Sequence, residues 1–230
     1  MKHKPIIATV IVILLMLLYQ GYNVNQKTAV IIDPINDKSG FTSKSTQLLT
    51  ENGYKVTVVS GGNVTIQYLK NLPENHDIYI FRVHSTCINN RTWIFSGEKY
   101  RTESYPLMQL ADLVHKAKPS LESSYYFAVS PELIQQYNPD GFKNSIILMM
   151  GCEGLSSTDL AEAFCREGAS TYVSWDGNVC LEHTDTAFLA LLESICIENV
   201  SITESLSVVY SKIGNDPVYR STLKAYPEPH

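Results

Sequence analysis

Three short apolar runs near the start of the chain, TAVIIDP (28–34), YKVTVVSG (54–61) and DIYIFRVHS (77–85), are rich in β-branched residues and too brief for helices. Each reads as a strand. Between them, SKSTQLLTENG (43–53) and VTIQYLKNL (64–72) carry apolar residues at helical spacing, the first closing on Gly53 and the second stopped by Pro73. Strand and helix in strict alternation imply right-handed crossovers and a mostly parallel sheet buried on both faces.

From 90 to 143 the rhythm lapses. TWIFSGEKYRTESY (92–105) reads as a hairpin turning at Ser96 and Gly97, and a helix is expected from Met108 to Lys116. An insertion at the ligand-bearing edge of a sheet is expected to act as a lid or specificity element. The alternation resumes with the strand opening NSIILMMGCEGLSS (144–157), a helix over 157–168, a fifth strand in ASTYVSWDG (169–177) and a long helix from about Asp185 to Glu198. The tail, 223–230, is expected to fray.

A chain of 230 residues that is 44% hydrophobic can bury one domain, placed at 27–222 behind a leader at 1–26. Its net charge of -5, with no Lys/Arg cluster beyond the first few residues, lacks the footprint of a nucleic-acid binder, so no nucleic-acid partner is expected. The leader couples basic MKHK to the uncharged run PIIATVIVILLMLLY, without a small-x-small cleavage site after it. It reads as an N-terminal transmembrane helix with its short end in the cytoplasm and the main domain outside the cell, or secreted if the leader is removed. Asn63, Asn90 and Asn199 each open an Asn-X-Ser/Thr sequon suited to glycosylation on that side. The five cysteines are an odd number, leaving either one odd thiol, reactive or linked to another molecule, beside up to two disulfides, or five reduced side chains.

The candidate chemistry lies where two neighbouring parallel strands should end. His84 follows the third strand and Cys152 the fourth, so topology sets an imidazole and a thiol at one sheet edge. Imidazole is the side chain best suited to take a thiol proton near neutral pH, and thiolate is the nucleophilic form of cysteine. Gly151 and Gly154 flank the thiol and leave room for a carbonyl, while backbone N–H groups near Gly151 and Ser85 are candidate oxyanion donors.

These residues carry a resemblance. The segment from TAVIIDP to TVV, the strand IYIFRVHS, the strand IILMMGCEG and the following LAEAFCREGASTYVSWDG are similar to the caspase-like cysteine peptidases, the superfamily of caspases, metacaspases, gingipains, clostripain, separase and CHAT domains. The resemblance spans roughly residues 28 to 200. It implies a three-layer α/β/α sandwich, His84 as general base, Cys152 as nucleophile, a peptide or protein substrate and no organic cofactor; calcium, which some of the family use, is not read from this sequence, and no metal-ligand residues are expected. Ser85 stands where the family has glycine, and Met150 where metacaspases carry an acid. By the same resemblance, Asp176 after the SW of the fifth strand marks the specificity pocket; with Asp37, and with Trp175 as a wall, a pocket for Arg or Lys is expected.

Two other readings stand beside this one: a non-catalytic binding or scaffold module that keeps the fold, and an amidotransferase-like set of Cys152, His183 and Glu182. His183 is expected to be an exposed helix-capping residue, and His76 and His115 surface residues without metal-ligand spacing. Cys165 is expected to pack in a helix, and Cys87 to be a second thiol at the mouth, half of a disulfide, or neither.

Overall fold

The computed structural model describes residues 26–198 and 200–228. The expected transmembrane segment, 1–26, lies almost wholly outside them, and no described helix is long and apolar enough to cross a membrane.

The central sheet has six strands: β1 (Thr28–Asp33), β2 (Lys55–Ser60), β3 (Ile78–Phe81), β8 (Ile146–Met149), β9 (Thr171–Trp175) and β10 (Leu223–Tyr226), in the spatial order β10-β9-β8-β3-β1-β2. All neighbours pair in parallel except β10, which runs antiparallel to β9. The segment 223–226, expected to fray, is therefore an ordered edge strand, because its backbone groups find partners on β9.

Side chains alternate across this sheet and divide the core in two. Val30, Ile32, Tyr79, Phe81, Ile147 and Met149 face one side; Ile31, Ile80, Leu148, Met150, Val173 and Trp175 face the other. The second side is covered by α1 (Phe41–Glu51), α6 (Leu181–Glu193) and α7 (Ile202–Lys212), through Phe41, Leu49, Phe188, Leu191 and Val209. The capping box of Ser201 and Glu204 sets where α7 starts, and α6 runs on into a π turn, Ser194–Glu198.

The first side departs from a plain α/β/α sandwich. Beside α2 (Ile66–Leu69), α4 (Pro131–Tyr137) and α5 (Asp159–Arg166) it carries a second sheet of four antiparallel strands, β4 (Ser85–Ile88), β5 (Arg91–Lys99), β6 (Val114–Ala117) and β7 (Tyr126–Val129), in the order β4-β5-β7-β6. Ile94, Val114, Phe127 and Val129 of these strands join the same core as Phe81 and Ile147. The insertion, residues 90–143, thus supplies three of that sheet's four strands, β5, β6 and β7, together with α4.

Its local structure differs from expectation in two places. The hairpin turns at Asn89 and Asn90, whose φ values of 53° and 59° are those of a tight primed turn that asparagine tolerates. Ser96 and Gly97 instead lie within β5; Gly97 presses on the 3-10 turn Gly61–Asn63, where a Cβ would come 1.9 Å from the Gly61 carbonyl oxygen. The expected helix from Met108 to Lys116 becomes α3 (Pro106–Leu110), ended by Asp112 at φ 54°, followed by β6. Pairing with β7 outweighs helical periodicity there, since β6 gains a ladder and buries Val114.

Candidate functional site

β3 and β8 pair in register Ile78 with Ile146 through Phe81 with Met149, and the Met150 amide extends the ladder by donating to the Phe81 carbonyl at 2.9 Å. Counting on in that register, His84 and Cys152 leave the two strands at equivalent positions. The turn after Met150 is braced on both sides. Ser85 Oγ donates to the Cys152 carbonyl at 2.6 Å, and a Cβ on Gly151 would come 2.1 Å from that same Oγ. A Cβ on Gly154 would likewise come 2.1 Å from Ser174 Oγ. The space beside both glycines, expected to admit a substrate carbonyl, is filled by serine side chains.

Glu153 completes the brace. At φ 58° it holds a left-handed conformation costly for a non-glycine residue, while its amide donates to Gly177 O at 2.8 Å. Its carboxylate accepts from Thr86 Oγ1 at 3.0 Å and from the Cys87 amide at 2.9 Å, tying the Cys152 turn to β4.

The Cys152 thiol is half-buried and packs on the α6 side of the sheet. The Val179 amide donates to Sγ at 3.4 Å, and Sγ faces the Val179 carbonyl at 3.6 Å. Burial pushes the thiol pKa up, the Val179 amide offsetting part of the shift, so the resting group is a neutral thiol. His84 is solvent-exposed, yet the protein around it partly desolvates the ring, and with the nearby Arg82 charge this lowers its pKa and favours the neutral imidazole. Among the described residues no hydrogen bond joins His84 to Cys152. The ring instead borders a cavity of about 180 Å³ together with Pro34, Ile35, Phe95, Ser96, Pro119, Ser123 and Tyr126.

Under this edge lies a buried charge cluster. Arg82, 1% exposed, donates from Nε and Nη2 to Asp185 at 2.8 and 2.9 Å, from Nη1 to Asp33 at 3.3 Å and from Nη2 to Asp37 and Ser39 at 3.0 Å. Burial acts to raise the Asp37 pKa, but the Arg82 and Ser39 hydrogen bonds outweigh it and hold the carboxyl below its ordinary value. Asp37, expected in a pocket for basic side chains, is thus engaged by a residue of its own chain. Asp176 is engaged too, accepting from the Thr222 amide at 2.7 Å and pairing with Lys224 at 2.8 Å. Trp175 is fully buried and donates from its indole to Thr184 Oγ1 at 2.9 Å, while Thr184 donates to the Met150 carbonyl at 3.0 Å.

The remaining candidates are dispersed. Glu182 is exposed in the first turn of α6. His183, expected as an exposed cap, is half-buried with its ring 5.4 Å from Trp175 and a buried Nε2 that has no partner among the described residues. His76 is half-buried too, with a pKa lowered by burial, whereas His115 is exposed, bonded to Asp112 at 2.9 Å and stacked edge-on against Trp93. All five cysteines are free thiols. Cys165 packs against the core, and Cys87 lies in β4. Asn63 and Asn90 are exposed; Asn199 lies outside the described residues. Among the described residues no group of three or more His, Cys, Asp or Glu is placed to hold a metal ion.

Three residues central to this edge, Arg82, Glu153 and Asp185, were not expected. A lone arginine inside the apolar run IYIFRVHS was the available signal, because a guanidinium buried in a central strand requires carboxylates. Nothing local marks Glu153 or Asp185, whose partners lie 66 and 103 residues away. Compared with protein-family models and with curated proteins, the chain matches none.

Proposed function

We propose that this chain is a cysteine hydrolase of the caspase-like kind, an endopeptidase that attacks a peptide carbonyl with Cys152 and uses His84 as its base. The observation carrying this reading is the register of β3 and β8, by which the two residues leave paired parallel strands at equivalent positions. With both groups neutral at rest, the chemistry is general-base attack rather than a preformed ion pair. The thiol releases its Val179 contacts, imidazole takes the Sγ proton as sulfur bonds the carbonyl carbon, and the departing amine takes that proton back. Water, deprotonated by His84, then attacks the thioester carbonyl; the C–S bond breaks, the acid departs, and the Cys152 sulfur takes the proton from the imidazolium.

The leader and the sequons extend the reading to a domain tethered to a membrane by residues 1–26 and lying outside the cytoplasm, supported by basic MKHK ahead of the apolar run and by exposed Asn63 and Asn90. A second reading, a tethered binding module without turnover, is favoured by one observation: the Val179 backbone occupies both hydrogen-bonding faces of the thiol.

Peptidyl acyloxymethyl ketones separate the two. Stoichiometric labelling that is lost in Cys152→Ala and slowed at least about tenfold in His84→Ala supports the hydrolase. Labelling no faster than that of free cysteine, and indifferent to His84, leaves the binding module.

A further inference from the structure

The resemblance pointed to a pocket for Arg or Lys, yet Asp37 and Asp176 are each neutralised within the chain, by Arg82 and by Lys224. A guanidinium brought against either would have to displace an existing cation. The concavity that does border His84 is of another kind. It is lined by Pro34 and Ile35 from the segment following β1, Phe95 and Ser96 of β5, Tyr126 of β7, and Pro119 and Ser123 of the β6–β7 loop. Apart from His84 itself, no residue lining it is ionisable near neutral pH, and the only side-chain hydroxyls are those of two serines and the tyrosine. Its volume of about 180 Å³ falls below the ~300–1,000 Å³ of clefts that hold whole ligands, and suits a single side chain.

We propose that this cavity is the specificity pocket of the His84 and Cys152 site, and that it accepts an uncharged side chain of the leucine or methionine class from the residue N-terminal to the scissile bond. This rests on the hydrolase reading above and names its substrate class. A basic or acidic side chain entering the cavity would lose its hydration without meeting an opposite charge. A leucine would exchange water for contact with Ile35, Phe95 and Tyr126. The inserted sheet and its β6–β7 loop then select the substrate, since they supply Phe95, Ser96, Pro119, Ser123 and Tyr126, whereas the central sheet supplies the reacting pair.

The test uses the full chain in detergent and four peptidyl acyloxymethyl ketones differing only in the terminal side chain: Leu, Met, Arg and Asp. Iodoacetamide serves as an untargeted control. Cys152 should be labelled at least about tenfold faster by the Leu and Met probes than by the Arg and Asp probes, within the 10–200-fold that one mismatched hydrophobic contact supports. Ser123→Asp, a substitution on a loop, should raise labelling by the Arg probe about tenfold and lower labelling by the Leu probe, each taken relative to the iodoacetamide rate of the same variant. Faster labelling by the Arg or Asp probe in the unmodified chain, or no change in preference in Ser123→Asp, overturns the pocket assignment and leaves the hydrolase reading standing. Failure of all four probes to outpace iodoacetamide at Cys152 removes the hydrolase reading and the pocket with it.

Discussion

Arg82 grips Asp185 through two parallel hydrogen bonds, Nε to Oδ1 at 2.8 Å and Nη2 to Oδ2 at 2.9 Å, and so ties the end of a central strand to the first turns of α6. The same guanidinium holds Asp33 and Asp37, which orders the segment entering α1. One cation thus fixes three chain segments around the edge where His84 and Cys152 emerge. Arg82→Met leaves the buried Asp33 and Asp185 without a counter-charge. The expected loss is about 3–5 kcal/mol, the cost of breaking a buried pair on one side, read from urea unfolding at pH 7. A loss below about 1 kcal/mol would mean that the carboxylates are satisfied without the arginine.

Gly151 is required by close approach. An alanine there would bring a methyl group within 2.1 Å of Ser85 Oγ and 3.0 Å of the Val83 carbonyl. Gly151→Ala should cost about 1–3 kcal/mol through overpacking. In a Ser85→Gly background the same change should cost less, by a coupling of about 0.5–3 kcal/mol between contacting residues. A double-mutant cycle by chemical denaturation measures it, and strict additivity would show that the two residues do not compete for space.

Glu153 offers a test of how the Cys152 turn is held. Glu153→Gln keeps its size but weakens the charge-assisted bonds from Thr86 and Cys87. Iodoacetamide should alkylate Cys152 and Cys87 several-fold faster in the variant, as followed by mass spectrometry of digested protein. Unchanged rates at both thiols would assign the brace to Ser85 and Ser174 alone.

The pH dependence of Cys152 chemistry follows from the two neutral groups. The lowered His84 pKa means that more than half of the imidazole is free base at pH 6.5, its unperturbed midpoint. Labelling by a peptidyl ketone should therefore rise with pH along a limb lying below 6.5 and be level near neutrality. Alkylation in His84→Ala, which depends on thiolate formed without a base, should instead keep climbing above pH 9, because burial raises the thiol pKa. A limb centred above 6.5 in the unmodified protein would contradict a desolvated His84.

Asp216 accepts from the amide of Cys180, the N-cap of α6, and is expected to contribute to acid stability. Burial works to raise its pKa, but the amides of Tyr219, Cys180 and Val218 donate to it at 2.8 to 2.9 Å and hold it below its ordinary value. A carboxyl with a depressed folded pKa contributes stability above its unfolded pKa of about 3.9 and loses it as pH falls through the folded value. Asp216→Asn should thus cost about 1.5–3 kcal/mol at pH 7, in the range of hydrogen bonds to charged groups. The gap from the unmodified protein should shrink below pH 4, as urea midpoints at pH 7 and pH 3 would reveal. A gap independent of pH would mean that the carboxylate charge plays no part.

The apolar runs and their spacing were enough to read the parallel sheet, because a strand buried on both faces and a helix closed by glycine or proline each leave a mark in a few consecutive residues. They also brought His84 and Cys152 to one edge, since parallel strands joined by crossovers must end on the same side. Local pattern misled in part at Ser96 and Gly97, where a turn-prone dipeptide shifts the register of β5 on β7 and presses on Gly61 but does not reverse the chain. It misled again at Val114–Ala117, where strand pairing overrode a helical period, and at Leu223–Tyr226, which β9 holds in place. Which charges meet was decided by tertiary structure alone. Asp37 and Asp176 look like free carboxylates until Arg82 and Lys224, 45 and 48 positions away, are seen to neutralise them. Periodicity reports which face of an element is buried, but an ion pair depends on where separate elements come together, and no short stretch of sequence encodes that.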